Sequence, residues 1–207
     1  QVSPVFVREQ VLARLGAEMG QTLPPRASVV LDSFPVDPSM MREDVARVVP
    51  TLIERYGMEE WKATWLTNEL HRHLGIYSII GAKMGVRARE LLGASVDEVE
   101  VASEAGSSPP LACLNDGLQV STGASLGRGT ISVSEERPRV AAEFSSGDRQ
   151  VHLRLRDEVV QRIREDIGQA IADHGKLTPA YFARVRQLAL EYWAELDRSE
   201  IFVEHVH

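Results

Sequence analysis

Leu74-Gly75-Ile76-Tyr77-Ser78-Ile79-Ile80-Gly81-Ala82-Lys83-Met84-Gly85-Val86 opens a stretch that runs on to Leu92, with Ile76, Ile79, Ile80, Met84, Ala88 and Leu91 at helical spacing and Gly93 as a stop. So dense an apolar pattern predicts a buried helix. Downstream, Val96 to Ala102 alternates apolar and acidic side chains, which suits a strand with one buried face. Ser107-Ser108-Pro109-Pro110 is a turn, and Leu111 to Val120 is spaced for a short helix with Cys113 in its first turn. Thr122 to Gly129 is rich in glycine and predicts a tight loop. Thr130 to Ser134, Arg139 to Phe144 and Gln150 to Leu155 then read as three strands joined by short turns, a small antiparallel meander. Two amphipathic helices follow, about Asp157 to His174 and Pro179 to Leu196, the second with Thr178 as its N-cap.

Upstream, a helix starts near Glu59 and carries Trp61 and Trp65, after a helical pattern of Val45, Val48, Val49, Leu52 and Ile53 that tolerates Pro50 and ends at Gly57. Further back, Val29-Val30-Leu31 is a short extended run, and Val7, Val11, Leu12 and Leu15 form one stripe of a surface helix over Val5 to Met19.

The 207 residues, 43% hydrophobic and 26% charged, suit one large domain or one domain with helical extensions. A formal charge of −7 argues against a general nucleic-acid or anionic-membrane binder. A single cysteine, Cys113, excludes an internal disulfide and an all-thiolate metal site within one chain. No apolar run is long enough to span a membrane, and Gln1-Val2-Ser3-Pro4 is not followed by a secretory pattern, so the expected setting is the cytoplasm, with no membrane partner.

Chemistry concentrates in few residues. His71-Arg72-His73 precedes the long apolar helix. Two residues apart in a helix, the imidazoles would point about 200° away from each other and could not share one ion; in an extended or cap conformation they can. Cys113, at a helix start, meets the positive end of a helix dipole, which favours thiolate. Two imidazoles and a thiolate make an open zinc or iron site with room for water or substrate, while an exposed turn and a small buried thiol remain the structural alternative. Glu69, Asp116 and Gln119 lie close in sequence and can orient ligands. The stretch Ser121 to Gly129, with Ser125 and Arg128, is either a phosphate cradle or a turn forced by close packing. His152 and His174 read as structural. In the tail, strand spacing sets His205 and His207 on one face, but a chain end is ordinarily mobile, so they are not taken as a site.

The middle of the chain, over about Asn68 to Leu155, resembles the FmdE family, the FmdE-like proteins named for formylmethanofuran dehydrogenase. The family's His-x-His-x-Cys-Pro-Gly segment corresponds to His71-Arg72-His73-Leu74-Gly75-Ile76-Tyr77, with Gly75 at the cysteine and Ile76 at the proline. Its second segment corresponds to Cys113, Asp116, Gln119, Thr122-Gly123-Ala124-Ser125 and Gly127-Arg128-Gly129, with Ala124 at the second cysteine. The resemblance implies an α+β fold, a helix-strand-helix-three-strand core with a small mixed sheet; the N- and C-terminal helices that flank it lie outside the resemblance. On that reading residues 1–67 are an N-terminal helical extension, 68–156 the core and 157–207 a C-terminal helical extension. It also implies a homodimer and a bound metal, commonly zinc, with the ligand set shifted by the missing cysteines to His71, His73 and Cys113.

The functional expectation is a metal-binding protein whose open transition-metal site acts on or binds a small anionic molecule or cofactor. Lys83, Ser125 and Arg128 are the candidates to receive the anionic group. Iron in place of zinc, or haem with a histidine as axial ligand against the apolar helix, is the variant. The alternative from another class is a non-catalytic metal or cofactor carrier, or an accessory protein for a partner enzyme.

Overall fold

The computed structural model describes residues 33–207; the helix read over Val5 to Met19 and the extended run at Val29 to Leu31 lie outside the described residues. The chain divides into two compact units, Gln1–Pro35 and Val36–His207, and the second holds every element of secondary structure among the described residues. Its elements in chain order are α1 (Glu43–Ala46), α2 (Val49–His71), α3 (Ile76–Leu92), β1 (Glu100–Ser103), α4 (Leu114–Thr122), β2 (Ile131–Val133), β3 (Ala141–Ser146), β4 (Arg149–Leu155), α5 (Asp157–His174), α6 (Pro179–Glu195) and β5 (Phe202–Val206), with short 3-10 turns between some of them. The fold is α+β.

Helix α3 is the long apolar helix expected from its spacing, and it is as buried as its composition demands: Ile79, Ile80, Ala82, Met84 and Ala88 are fully enclosed. Gly93 ends it in the left-handed region at φ 63°, where a side chain would be strained. The α2 segment is two helical runs joined at Gly57 (φ 82°, ψ 171°), and Pro50 sits harmlessly in its first turn, where no backbone donor is needed. Trp61 of α2 stacks on Trp193 of α6 with centroids 5.5 Å apart. Thr178 caps α6 as expected, its hydroxyl accepting from the Tyr181 amide at 3.1 Å.

Glycine sets how α3 and α4 meet. A Cβ at Gly81 would lie 2.2 Å from the Leu114 carbonyl oxygen, and one at Gly117 would lie 2.2 Å from the Ser78 carbonyl oxygen. The two backbones therefore touch directly.

The five-stranded sheet has the order β2-β1-β3-β4-β5. It corrects the expected meander. Strand β2 does not pair with β3; it runs parallel to β1 (Val101 opposite Ile131), and β1 lies between them. Parallel neighbours need a crossover, which α4 supplies. Strand β1 is also shorter than Val96 to Ala102, because Ser95 to Glu98 is a turn in which the Glu98 carboxylate accepts from the Ser95 amide at 2.8 Å. One sheet face, with Phe144, Val151, Leu153 and Leu155, is buried beneath α3 and α4. On the other face Ala102, Glu143, Gln150 and His205 are exposed.

Candidate metal centre

His71 is the last residue of α2, and the chain leaves the helix at Arg72 in the left-handed region (φ 67°). That reversal removes the obstacle a continuous helix would present. The rings of His71 and His73 come within 4.1 Å, tilted by 37°. Gly75, extended at φ −111°, starts α3. A Cβ there would fall 2.9 Å from His71 Nε2 and 2.7 Å from Ser78 Oγ, so the imidazole seats against a position that has no side chain. Buried Asn68 holds the entry to α3, its Oδ1 accepting from the Gly75 amide at 3.3 Å. Neither Asn68 nor Ser78 was singled out in the sequence; a polar residue inside an apolar helical face was their only signal.

From α4, Asp116 Oδ2 lies 2.7 Å from His71 Nδ1. A carboxylate only accepts, so Nδ1 carries the hydrogen, and in the neutral ring the lone pair is on Nε2. That nitrogen is buried and has no hydrogen-bond partner. The His71 side chain is 9% exposed. The pKa of His73 lies below the ordinary imidazole value, chiefly through desolvation and then through repulsion from His71, which favours the neutral, ligating form.

Cys113 caps the N-terminus of α4 and is half-buried. Its thiol titrates higher than usual, against the helix-dipole expectation, because burial and the negative charge of Asp116 both oppose thiolate. Asp116 thus bears on all three predicted ligands: by hydrogen bond on His71, and by charge on His73 and Cys113. Among the described residues, no three His, Cys, Asp or Glu side chains form a ready metal cage.

The other predicted residues go elsewhere. Lys83 is fully buried, its Nζ donating to Glu60 Oε1 at 2.5 Å and lying 3.9 Å from the Tyr56 ring centre; Arg198 approaches the second Glu60 oxygen at 2.9 Å. Its charge is met inside the protein. Arg128 donates to the Gly123 carbonyl at 2.7 Å and pairs with Asp97, while the Ser125 hydroxyl accepts from the Arg128 amide at 3.3 Å. Those bonds brace the glycine-rich turn, internally and against Asp97 in the turn before β1. Gln119 Oε1 accepts from the Leu126 amide in the same turn, and Glu69 is exposed.

The family model FmdE, described as Molybdenum formylmethanofuran dehydrogenase operon, matches residues 70–203. That span exceeds the Asn68 to Leu155 stretch that carries the resemblance and takes in both C-terminal helices. No curated protein matches the chain. Among the described residues, no helix is long and apolar enough to cross a membrane.

Proposed function

We propose a function from one premise: the chain belongs to the FmdE family. Its centre binds a transition metal, zinc, through His71, His73 and Cys113, and offers that ion to a small anionic molecule. The observation that carries this reading is the state of His71, whose Nδ1 is engaged by Asp116 while its buried Nε2 has no partner. Metal-ligating histidines characteristically give their second nitrogen to a carboxylate in this way, and an orphaned buried acceptor otherwise costs about 1–3 kcal/mol. The residue types suit the ion, although they are not gathered into a cage among the described residues. Asp116 fixes the His71 tautomer, neutral His73 supplies a second imidazole, and Cys113 gives up its proton on binding. A bound zinc would polarise a carbonyl or acidify a water molecule, which is the chemistry of hydrolytic and lyase reactions.

A second reading, that of a metal carrier or accessory protein, draws support from the ligands not being gathered into a ready cage among the described residues. A site completed only on loading suits exchange better than catalysis. The homodimer and the cytoplasmic setting belong to the proposal too.

The experiment is metal analysis of untagged protein, repeated on His71→Ala and Cys113→Ala. One equivalent in wild type, lost in both variants, is the expected result; metal-free wild type, or retention in both variants, overturns the site. Turnover by the loaded protein that vanishes in His73→Ala at unchanged melting temperature favours the enzyme over the carrier.

A further inference from the structure

His205 does not behave as part of a mobile end. Strand β5 pairs antiparallel with β4 over Phe202–Val206, and Arg87 of α3 fastens it by donating to both oxygens of Glu204 at 2.7 and 3.1 Å. Because side chains alternate along a strand, pointing Glu204 at α3 turns His205 to the opposite, open face of the sheet. The register puts His205 directly across from His152, and residues so placed carry their Cβ atoms about 5 Å apart. The two rings lie 6.3 Å apart, tilted by 34°. On its other side His152 is flanked by Glu143, its register partner on β3.

His152 is also oriented from outside the pair. Its Nε2 sits 2.7 Å from Glu104 Oε1, and Arg139 holds the other oxygen of that carboxylate. Both oxygens of the Glu104 carboxylate are thus engaged. A carboxylate accepts, so Nε2 donates, and in the neutral ring the Nδ1 lone pair of His152 is the one left for a ligand.

We propose that His152 and His205 form a second metal seat, on the open face of the sheet, for an exchangeable divalent transition ion. Imidazole pairs suit copper, nickel and zinc, with copper held most tightly. No third ligand side chain completes a cage among the described residues, so solvent fills the remaining positions and the ion exchanges rather than serving as structural metal. Glu104 is the positioning residue, holding the His152 ring as Asp116 holds that of His71. The inference is independent of the His71 centre.

The test is a Cu²⁺ titration of the untagged full chain, following the ring protons of every histidine by NMR. Up to two equivalents in the wild type, and below one in His71→Ala, paramagnetic broadening is expected at His152 and His205. His205→Ala and His152→Ala should each weaken this binding at least about tenfold, and Glu104→Gln by about 10- to 100-fold, with unchanged circular dichroism. Broadening confined to His71 and His73, or an unchanged affinity in His205→Ala, overturns the site. Unchanged affinity in Glu104→Gln removes the positioning role.

Discussion

One carboxylate, Asp116, organises the candidate centre, because it hydrogen-bonds to His71 and adds negative charge beside His73 and Cys113. Asp116→Asn nearly preserves shape, but its amide can present a donor where the carboxylate could only accept. The His71 tautomer is then no longer imposed, and metal affinity should fall about 10- to 100-fold, read by competition with a chromogenic chelator. The same change removes the negative charge that opposes Cys113 thiolate, so the thiol should react faster with a disulfide reagent at neutral pH. An unchanged affinity would detach Asp116 from the metal. The candidate residues were legible in sequence because histidine and cysteine are scarce here. Their poses were not: the spacing of His71 and His73 allowed either divergence or convergence, and the left-handed turn at Arg72 decided it.

At the scale of elements, the crossing of α3 over α4 is the joint that brings Asp116 to His71. Gly117→Ala would drive a methyl group into backbone, at 2.2 Å from the Ser78 carbonyl oxygen and 2.3 Å from the Ala82 amide nitrogen. Backbone cannot swing aside as a side-chain tip can, so the helices must separate, at a cost of at least about 1–3 kcal/mol by chemical denaturation. Gly127→Ala is the matched control: its Cβ meets nothing within 4 Å, and stability should stay within about 0.5 kcal/mol of wild type. Equal effects at the two positions would refute the close crossing. Helix periodicity announced both α3 and α4, as well as α5 and α6, since each buries a face set by its own spacing. The strand pairing escaped that logic: alternation along Thr130 to Ser134 reports a buried face but names no neighbour, and β1 rather than β3 took the place beside β2.

Across the whole molecule, Glu60 ties three distant segments: it lies on α2, pairs with Lys83 on α3, and meets Arg198 in the approach to β5. Lys83 and Glu60 have side chains 0% and 1% exposed, so removing Lys83 takes one of two cationic partners, Arg198 being the other, from a buried carboxylate. Lys83→Met should cost about 1–3 kcal/mol, while the double change with Glu60→Gln should recover part of that loss. Additive losses in the double variant would show that the two do not act as a pair. Lys83 also marks what the chain by itself could tell. Its place in an apolar helix was plain, but two readings, a ligand for an anion or a partner for a carboxylate, fit the same position. Periodicity, capping residues and glycine stops travel along the chain within a few residues, so the sequence alone determined the helices, the α+β class and the short roll of side chains of a type able to ligate a metal. Which of them meet is a matter of residues as far apart as His71 and Asp116, or His152 and His205; no local pattern encodes those distances. The contact of two glycine-lined helices and the register of β5 against β4 supplied them, because only packing brings remote segments within reach of a hydrogen bond or a shared ion.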